Sequence, residues 1–600
     1  MKKRTLKGTR EANTMMALAI VTTAQLTGPH AHAQIILDRS VLGGIERTVL
    51  EDGATINVIN GPNYGIVKLG SSPAPDEVPA TIGTLNVTIG GELNTTSLRV
   101  GDQAEGLLNV NGGTVNVVEV TDLGYAGKGT INVINSGTLN TNFIDVGFSG
   151  EGLLNVLNVN GGFVNVTEDA YFYSIGAISS AVVTNGTLAI GGDLMLGEDG
   201  GTGLNTLNIN SNGTVLVSGN LTRGSSGSVI NLNTGGTLQI GNGVTTGPLL
   251  EGMGNLKNDG TLIFNRSDAY LYSGVLSGSG ALVQQGTGTL TISGANTYTG
   301  ATFIRNSGTL NANVANALPT ANGRSAVIMD DTGTVGSTLS LGASQLIASL
   351  TGAANSLVSL ATGTSLTMGS STGTATFTGV ISGDGGLTKD GASTQTLTGE
   401  NYYTGGTTLN GGTLELSGAL GALTATSAVN INGGTLLLSG SAANRIKDDA
   451  TISLGAATGS TLQLSGAVTE TLGAMTLSGG AGARVIDFGA GSGVLTFTSL
   501  SAASSLPLQI WNWSGTIGNG GGTDRLIITG GSLGGSLTAS DVSFYSGSGT
   551  GLYSGATVFT SGGELVPVPE ASTLLGVLGL LAPLAWRERR HWMRCREARG

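Results

Sequence analysis

Carboxylates are the side chains through which this 600-residue chain could do chemistry. Hydrolysis of a glycosidic bond needs two of them about 5–10 Å apart. A lyase acting on an acidic polysaccharide needs carboxylate-bound Ca2+ beside a basic proton acceptor. The acids here are scattered: Glu92, Asp102, Glu119, Asp122, Asp145, Glu168, Asp169. The densest pairs are Glu168-Asp169, Glu198-Asp199, Asp330-Asp331 and Asp448-Asp449. Adjacent residues on a strand point to opposite faces, so these pairs read as solvated turns. "GEDGGTG" from Gly197 and "GDGG" from Gly383 resemble calcium-loop words, but neither recurs at nine-residue spacing. Three or more carboxylates gathered with a Lys or Arg in one groove would mark an enzyme; dispersed acids mark a structural protein.

Other catalytic chemistries lack their residues. The single cysteine is Cys595, and the three histidines are His30, His32 and His591, all in the terminal segments. The body between has no thiol and no imidazole, which excludes a disulfide framework, a His/Cys zinc site and a His-based triad there. Glycine-rich stretches are not followed by G-K-[ST], so no phosphate loop is present. Trp511 and Trp513, two apart, are expected to share a strand face, as a cap on the core or as a carbohydrate-stacking platform. No catalytic, cofactor-binding or metal residue is assigned, and no cofactor is expected.

The composition describes the scaffold. Charged residues make up 11% where about 25% is usual. Aromatic residues are only 4%, and there are 103 glycines. The apolar mass is Val, Leu, Ile and Ala with Thr as companion, which suits stacked strands. Five of the 26 basic residues lie in the first ten positions and six follow Trp586. The acidic body that remains opposes binding to nucleic acid or to an anionic membrane surface.

Repetition sets the fold. "GTLNV" at Gly83, "GLLNV" at Gly106, "GTINV" at Gly129 and "GLLNV" at Gly152 recur every 23 residues. "GGELN" (Gly90), "GGTVNV" (Gly112), "SGTLN" (Ser136) and "GGFVNV" (Gly161) lie between them. A period in the twenties marks a solenoid, and apolar residues alternating with Thr and Asn put one strand face inward. Three short strands and three turns fill such a period, with Gly and Asn supplying positive-φ corners. A parallel β-helix follows; antiparallel sandwiches fit the steady register less well.

From about residue 278 the words change. Asn296-x-Tyr298-Thr299-Gly300 and Asn401-x-Tyr403-Thr404-Gly405 are each followed by Gly-Thr-Leu, at Gly308 and Gly412. These two units resemble the autotransporter-associated β-strand repeat of long surface β-helices. Tyr298 and Tyr403 recur and so read as structural. A full autotransporter would also need an outer-membrane barrel, for which residues 500–565 are too few and too glycine-rich.

The ends read as addresses. A basic start, the apolar "MMALAIVTTAQL" and Ala31-His32-Ala33 before Gln34 have the order of a secretory signal, with Ala31, Ala33 and Gln34 framing the cleavage. Near the other end, Val568-Pro569-Glu570-Ala571 precedes an apolar run, Ala571–Trp586, and then Arg587, Arg589 and Arg590. As a helix of 16 residues the run would span ~24 Å, short of the ~30 Å hydrocarbon core, with its arginines held in the cytoplasm. This order resembles the PEP-CTERM sorting signal, except that Ala571 stands where that signal has Pro. The resemblance implies processing by an exosortase, transient passage through the inner membrane by the C-terminal helix, and delivery to the surface or matrix of a Gram-negative-type bacterium. "LQIWNWSGTIGNGGGTDRLIITGG" (Leu508–Gly531) also resembles the terminal region of that protein class.

The expected fold is therefore all-β, a right-handed parallel β-helix with an N-terminal signal peptide and a short C-terminal transmembrane helix. The expected organisation is 1–33 signal peptide, 34–277 β-helix of 23-residue repeats, and 278–500 β-helix with autotransporter-associated repeats. A β cap region (501–565) and the sorting signal (566–600) follow. The expected function is that of an exported structural or adhesin-like protein linked to biofilm or exopolysaccharide, not an enzyme. Its expected partners are an exosortase-type enzyme, the membrane through the C-terminal helix, and exopolysaccharide or neighbouring cell surfaces, with no nucleic acid. The alternative is a polysaccharide-active β-helix enzyme, a lyase or hydrolase.

Overall fold

In Thr-Leu-Asn-Val, Leu and Val share one strand face and Thr and Asn the other. The computed structural model carries that polarity into the first three such words. Gly83–Thr88, Gly106–Asn111 and Gly129–Ile134 alternate buried and half-buried positions from first residue to last. The structure describes residues 34–568 except 42–43, 51–54, 57–63, 72–82, 148–152, 174–177, 198–202, 225–226, 245–253, 321–323, 331–334, 456–458 and 554–556; for 34–64 and 71 it describes backbone only. The chain divides into two compact units, one reaching Asn242 with small later pieces and the other taking the remainder.

The first unit is a right-handed parallel β-solenoid. Gly83–Thr88, Gly106–Asn111, Gly129–Ile134, Leu154–Asn160, Ile178–Thr184, Leu204–Ile209 and Val229–Leu232 pair successively in parallel and form one sheet. The strands Glu92–Val100, Thr114–Leu123 and Thr138–Val146 supply the other two sides, shifting register where they bend past Thr95 and Thr141. In later coils that bend becomes a break, giving Phe163–Val166 and Ala170–Phe172 as separate strands. Stacked Leu85, Leu108, Ile131, Leu157, Ala181 and Leu207 fill the interior and are fully buried. Such aliphatic columns form a core without aromatic bulk.

The 23-residue spacing holds for three coils and then yields. Gly83, Gly106 and Gly129 are in register, but Thr130 pairs with Val156, not with Leu153 of the fourth word. "GLLNVLNVN" contains the same tripeptide twice, and the second copy joins the sheet. Asn132 and Asn158, bonded across that step, are 26 residues apart where Asn109 and Asn132 are 23. Register is kept by the buried face, because a one-residue slip would turn every aliphatic side chain outward. Turns absorb the difference in length.

The first unit begins with antiparallel pairing. Gln34–Val41 pairs with both Gly44–Leu50 and Tyr64–Ser71, and only then does Tyr64–Ser71 pair in parallel with Glu92–Val100. An antiparallel hairpin at the end of a parallel stack covers an edge that would otherwise add foreign strands.

The second unit is also a parallel solenoid, with coils as short as 19 residues, the separation of the partners Thr394 and Thr413; the Asn296 and Asn401 side chains bond across 20. Ala269–Tyr272, Thr289–Ile292, Thr309–Ala312, Thr338–Leu341, Leu357–Leu360 and Val380–Gly383 make one of its sheets. Its end is again antiparallel: Thr557–Phe559 pairs with Leu565–Pro567, and the Ile528 N–H donates to the Gly563 carbonyl at 2.9 Å. Glu564, buried here, accepts from the Gly521 N–H and from Arg525 Nε at 3.1 Å.

One part of the expected fold is corrected. Among the described residues no helix is long and apolar enough to cross a membrane, and the one helical turn described, Ala539–Asp541, is a 3-10 turn. The apolar run Ala571–Trp586 lies outside the described residues. The chain just before it is a strand rather than a free linker, with Leu565 and Val566 buried in the terminal hairpin.

Candidate functional surface

Carboxylates gather beside cations on the side of the first unit formed by the second halves of the long strands. Lys68, Arg99, Asp122 and Asp145 stand in register on four successive strands. Asp102 lies between two of them, 3.5 Å from Lys68 Nζ and 3.5 Å from Arg99 Nη1. Arg99 Nε reaches Asp122 Oδ2 at 3.1 Å, and its guanidinium lies 4.1 Å from the Tyr125 ring centroid, a cation–π contact. Burial pushes the Asp122 carboxyl above its usual range, and Arg99 opposes that rise.

Acid–base cleavage of a glycoside requires two carboxyl groups open to substrate, one holding its proton. Here Asp102 and Asp122 are buried against the cations that neutralise them. The cluster is a ladder tying coil to coil, not a reaction centre.

The adjacent acids of the sequence are turn fittings where they are described. Asp169 Oδ1 accepts the Asp193 N–H at 2.8 Å, and Asp193 Oδ1 accepts the Asn220 N–H at 2.7 Å one coil later. Tyr171 donates its hydroxyl to Asp169 Oδ2 at 2.8 Å. Asp330 takes Arg305, and Asp449 takes Lys447 at 2.6 Å. In "GDGG", Asp384 accepts the hydroxyls of Thr362 and Thr404 at 3.1 and 3.2 Å. No group of three or more His, Cys, Asp or Glu able to hold a metal occurs among the described residues.

The Asn-x-Tyr-Thr-Gly motif is a corner clamp. Asn296 Oδ1 accepts the Leu276 N–H at 2.7 Å and its Nδ2 donates to the Ala317 carbonyl at 2.6 Å, joining the coil before to the coil after. Asn401 does the same between the Ile381 N–H and the Ala422 carbonyl. Tyr298 and Tyr403 are buried and share hydrogen bonds with Thr302 and Thr407 at 2.7 and 2.6 Å. Burial drives both phenols well above their ordinary range, so they remain neutral. Twelve residues before each Asn sits a further clamp. Gln284 Nε2 donates to the Gly286 and Gly288 carbonyls at 3.0 and 2.8 Å. At the same place Lys389 Nζ donates to the carbonyls of Asp390, Gly391 and Gly411. Sequence reasoning passed over this pair, although its fixed distance from the motif was the available signal.

The outward faces carry amide ladders. Asn86, Asn109, Asn132 and Asn158 form one chain of side-chain hydrogen bonds at 2.8, 2.8 and 2.9 Å, and Asn94, Asn116 and Asn140 a second at 2.9 and 2.8 Å. The expected shared face of the two tryptophans is not observed. Asn512 between them has φ 57, which breaks the alternation. Trp511 is half-exposed, while Trp513 is buried edge-on against Phe544 and Tyr553 at 5.1 and 5.7 Å.

Most of the residues assigned to processing lie beyond what the structure describes. Ala31, Ala33, Pro569, Glu570, Ala571, Arg587, Arg589 and Arg590 lie outside the described residues; Gln34 opens the first strand and Val568 follows the last.

Residues 282–312 and 387–416, the segments that carry these clamps, match the family described as the passenger-associated-transport-repeat. A stretch of 101 residues is 43% identical to the adhesin BmaC autotransporter of Brucella suis biovar 1 (strain 1330), covering 16% of this chain and 3% of that protein. The chain thus spans a small fraction of that relative's length. The family supported is the autotransporter passenger repeat, and the expected PEP-CTERM sorting protein, with an exosortase as partner, gives way to it. The expected anchoring and inner-membrane transit through a C-terminal helix lose their footing as well, since no described helix could provide them. The chain is a β-solenoid structural protein related, through these segments, to autotransporter passengers. The likeness to an adhesin, with no metal-holding cluster among the described residues, accords with a non-enzymatic protein.

Proposed function

We propose that this chain is an exported, adhesin-like scaffold that displays long periodic surfaces outside the cell. The observation that carries the reading is that both passenger repeats are integral coils whose buried polar side chains clamp coil to coil. A solenoid built in this way offers many equivalent weak contacts along its length, which suits adhesion. The basic and apolar segment ahead of Gln34 supports export with cleavage after Ala33. Adhesion itself is supported by the likeness to a protein named an adhesin.

The test is the intact mass and N-terminal peptide of the protein from cells and medium, with protease shaving of intact cells. The reading expects a chain beginning at Gln34 and degraded by external protease. A chain retaining Met1 and protected inside the cell would overturn it. Loss of cell attachment on deleting the gene, restored by the full chain, tests adhesion separately.

A further inference from the structure

The sheet of the first unit running from Gly83–Thr88 to Val229–Leu232 has an uncharged outward face. Its outward positions are Thr84, Asn86, Leu107, Asn109 and their successors through Val229 and Asn231, and none is charged. The charged residues described in this unit lie on other strands, among them Lys68, Glu92, Arg99, Asp122 and Asp145, and in turns. On this face Leu154, Ile178 and Leu204 pair in register on three successive strands. They are 43%, 37% and 52% exposed, and Val229 on the next strand is 41% exposed. The Asn86–Asn109–Asn132–Asn158 amide ladder runs beside them. Toward the N-terminal coils the face ends at a mutually neutralising pair, Glu105 and Lys128, 2.6 Å apart.

We propose that this face binds a second copy of the same chain, with the two coil axes antiparallel and a two-fold axis at Ile178. Exposed large aliphatic side chains aligned in one column are costly on a free surface and mark a protein contact. The chain carries a formal charge of −12, so two copies repel except where a face holds no charge. The partner must also match a column that repeats once per coil, at about 4.7–4.9 Å. A second copy has that repeat by construction, so its side chains interdigitate along the whole face. An isologous pair sets Leu154 against Leu204 of the second copy and Ile178 against its own equivalent. The inference needs neither export nor adhesion and stands or falls apart from them.

Sedimentation velocity of the purified full chain tests it. Wild type is expected to form a concentration-dependent dimer. Ile178→Lys and Ile178→Glu are each expected to lose it, because like charges meet at the axis, and an equimolar mixture of the two is expected to regain it. Should position 178 prove intolerant by circular dichroism, Leu154→Lys is expected to lose the dimer and Leu154→Lys with Leu204→Glu to regain it. A wild-type monomer throughout, variants that still dimerise, a mixture that stays monomeric, or association only when a neutral polysaccharide is added would each overturn the proposal.

Discussion

The Asn155 carboxamide occupies the space that a Cβ on Gly124 would need, and its Oδ1 accepts the Gly129 N–H at 2.8 Å. This buried contact lies at the step where the coil lengthens and the second "LNV" takes over the register. Gly124 has φ +76, a conformation that itself costs a non-glycine residue about 1–3 kcal/mol. Gly124→Ala therefore combines backbone strain with an overlap. It is expected to destabilise the first unit by at least that much, read as a lower midpoint of its calorimetric transition. Asn155→Ala leaves the Gly129 N–H unpaired, at about 1–3 kcal/mol. Because the two changes act on one contact, the double variant should lose less than the sum, a coupling that chemical denaturation can measure.

Lys389 and Gln284 perform one task with different chemistry, so Lys389→Gln is expected to keep the second unit folded with little loss. Lys389→Met takes the donor away from three half-buried carbonyls and is expected to cost about 1–3 kcal/mol. The pH dependence separates charge from shape. Burial lowers the Lys389 ammonium from its usual 10.5 to about 8. Between those values the unfolded chain holds a proton that the folded chain has released, so this lysine makes stability rise with pH. The buried tyrosines, raised by burial, act in the opposite sense above their usual value. The clean window is pH 8 to 10, where wild type should gain stability relative to Lys389→Gln in parallel urea titrations. Parallel curves for the two proteins would show that the amine carries no burial penalty.

Trp513 and Trp511 make opposite predictions although only Asn512 separates them. Trp513 fills the core against Phe544 and Tyr553 near the chain's last strands, and truncation to Ala is expected to cost about 3–5 kcal/mol. The loss should appear first as faster amide exchange at Arg525–Ile528 and at Leu565 and Val566. Trp511→Ala removes a half-exposed ring whose Nε1 bonds Gln509 at 3.0 Å, and should leave that exchange unchanged. If Trp511→Ala alone opened the hairpin, the inward assignment of Trp513 would be wrong.

These contrasts show where the sequence was readable. Period-2 alternation showed the strands directly, since the words at Gly83, Gly106 and Gly129 bury the residues their pattern names. The Asn-x-Tyr-Thr-Gly units were visible because they recur intact. The register beyond Gly129 was not, because "GLLNVLNVN" offers two equal words and only burial chooses between them. The tryptophan faces were misread for a local reason: one Asn at positive φ reverses the side-chain direction, and Asn takes that conformation more readily than most residues. The clamp at Gln284 and Lys389 was hidden by residue type, since an amide and an amine seldom suggest the same interior role.

The carboxylate of Glu470 is fully buried, accepting the Arg445 N–H at 2.6 Å and the Ile446 N–H at 3.2 Å. Arg445 itself donates from Nη1 and Nη2 to the Gly421 and Gly418 carbonyls, so each charge is held by backbone on a separate side. Burial raises the Glu470 carboxyl from its usual 4.5 to about 7, outweighing the two N–H bonds and Arg445, which all lower it. Between pH 4.5 and 7 the folded chain thus keeps a proton that the unfolded chain has lost. Stability of the second unit should fall as pH rises through that window and level off above it. Glu470→Gln removes the titration but offers one oxygen to two N–H groups. It should flatten the profile between pH 4.5 and 7 while lowering stability throughout. Thermal unfolding of wild type and Glu470→Gln across that range decides the matter: a wild-type profile rising with pH, or a variant profile of the same slope, would exclude Glu470 as its source.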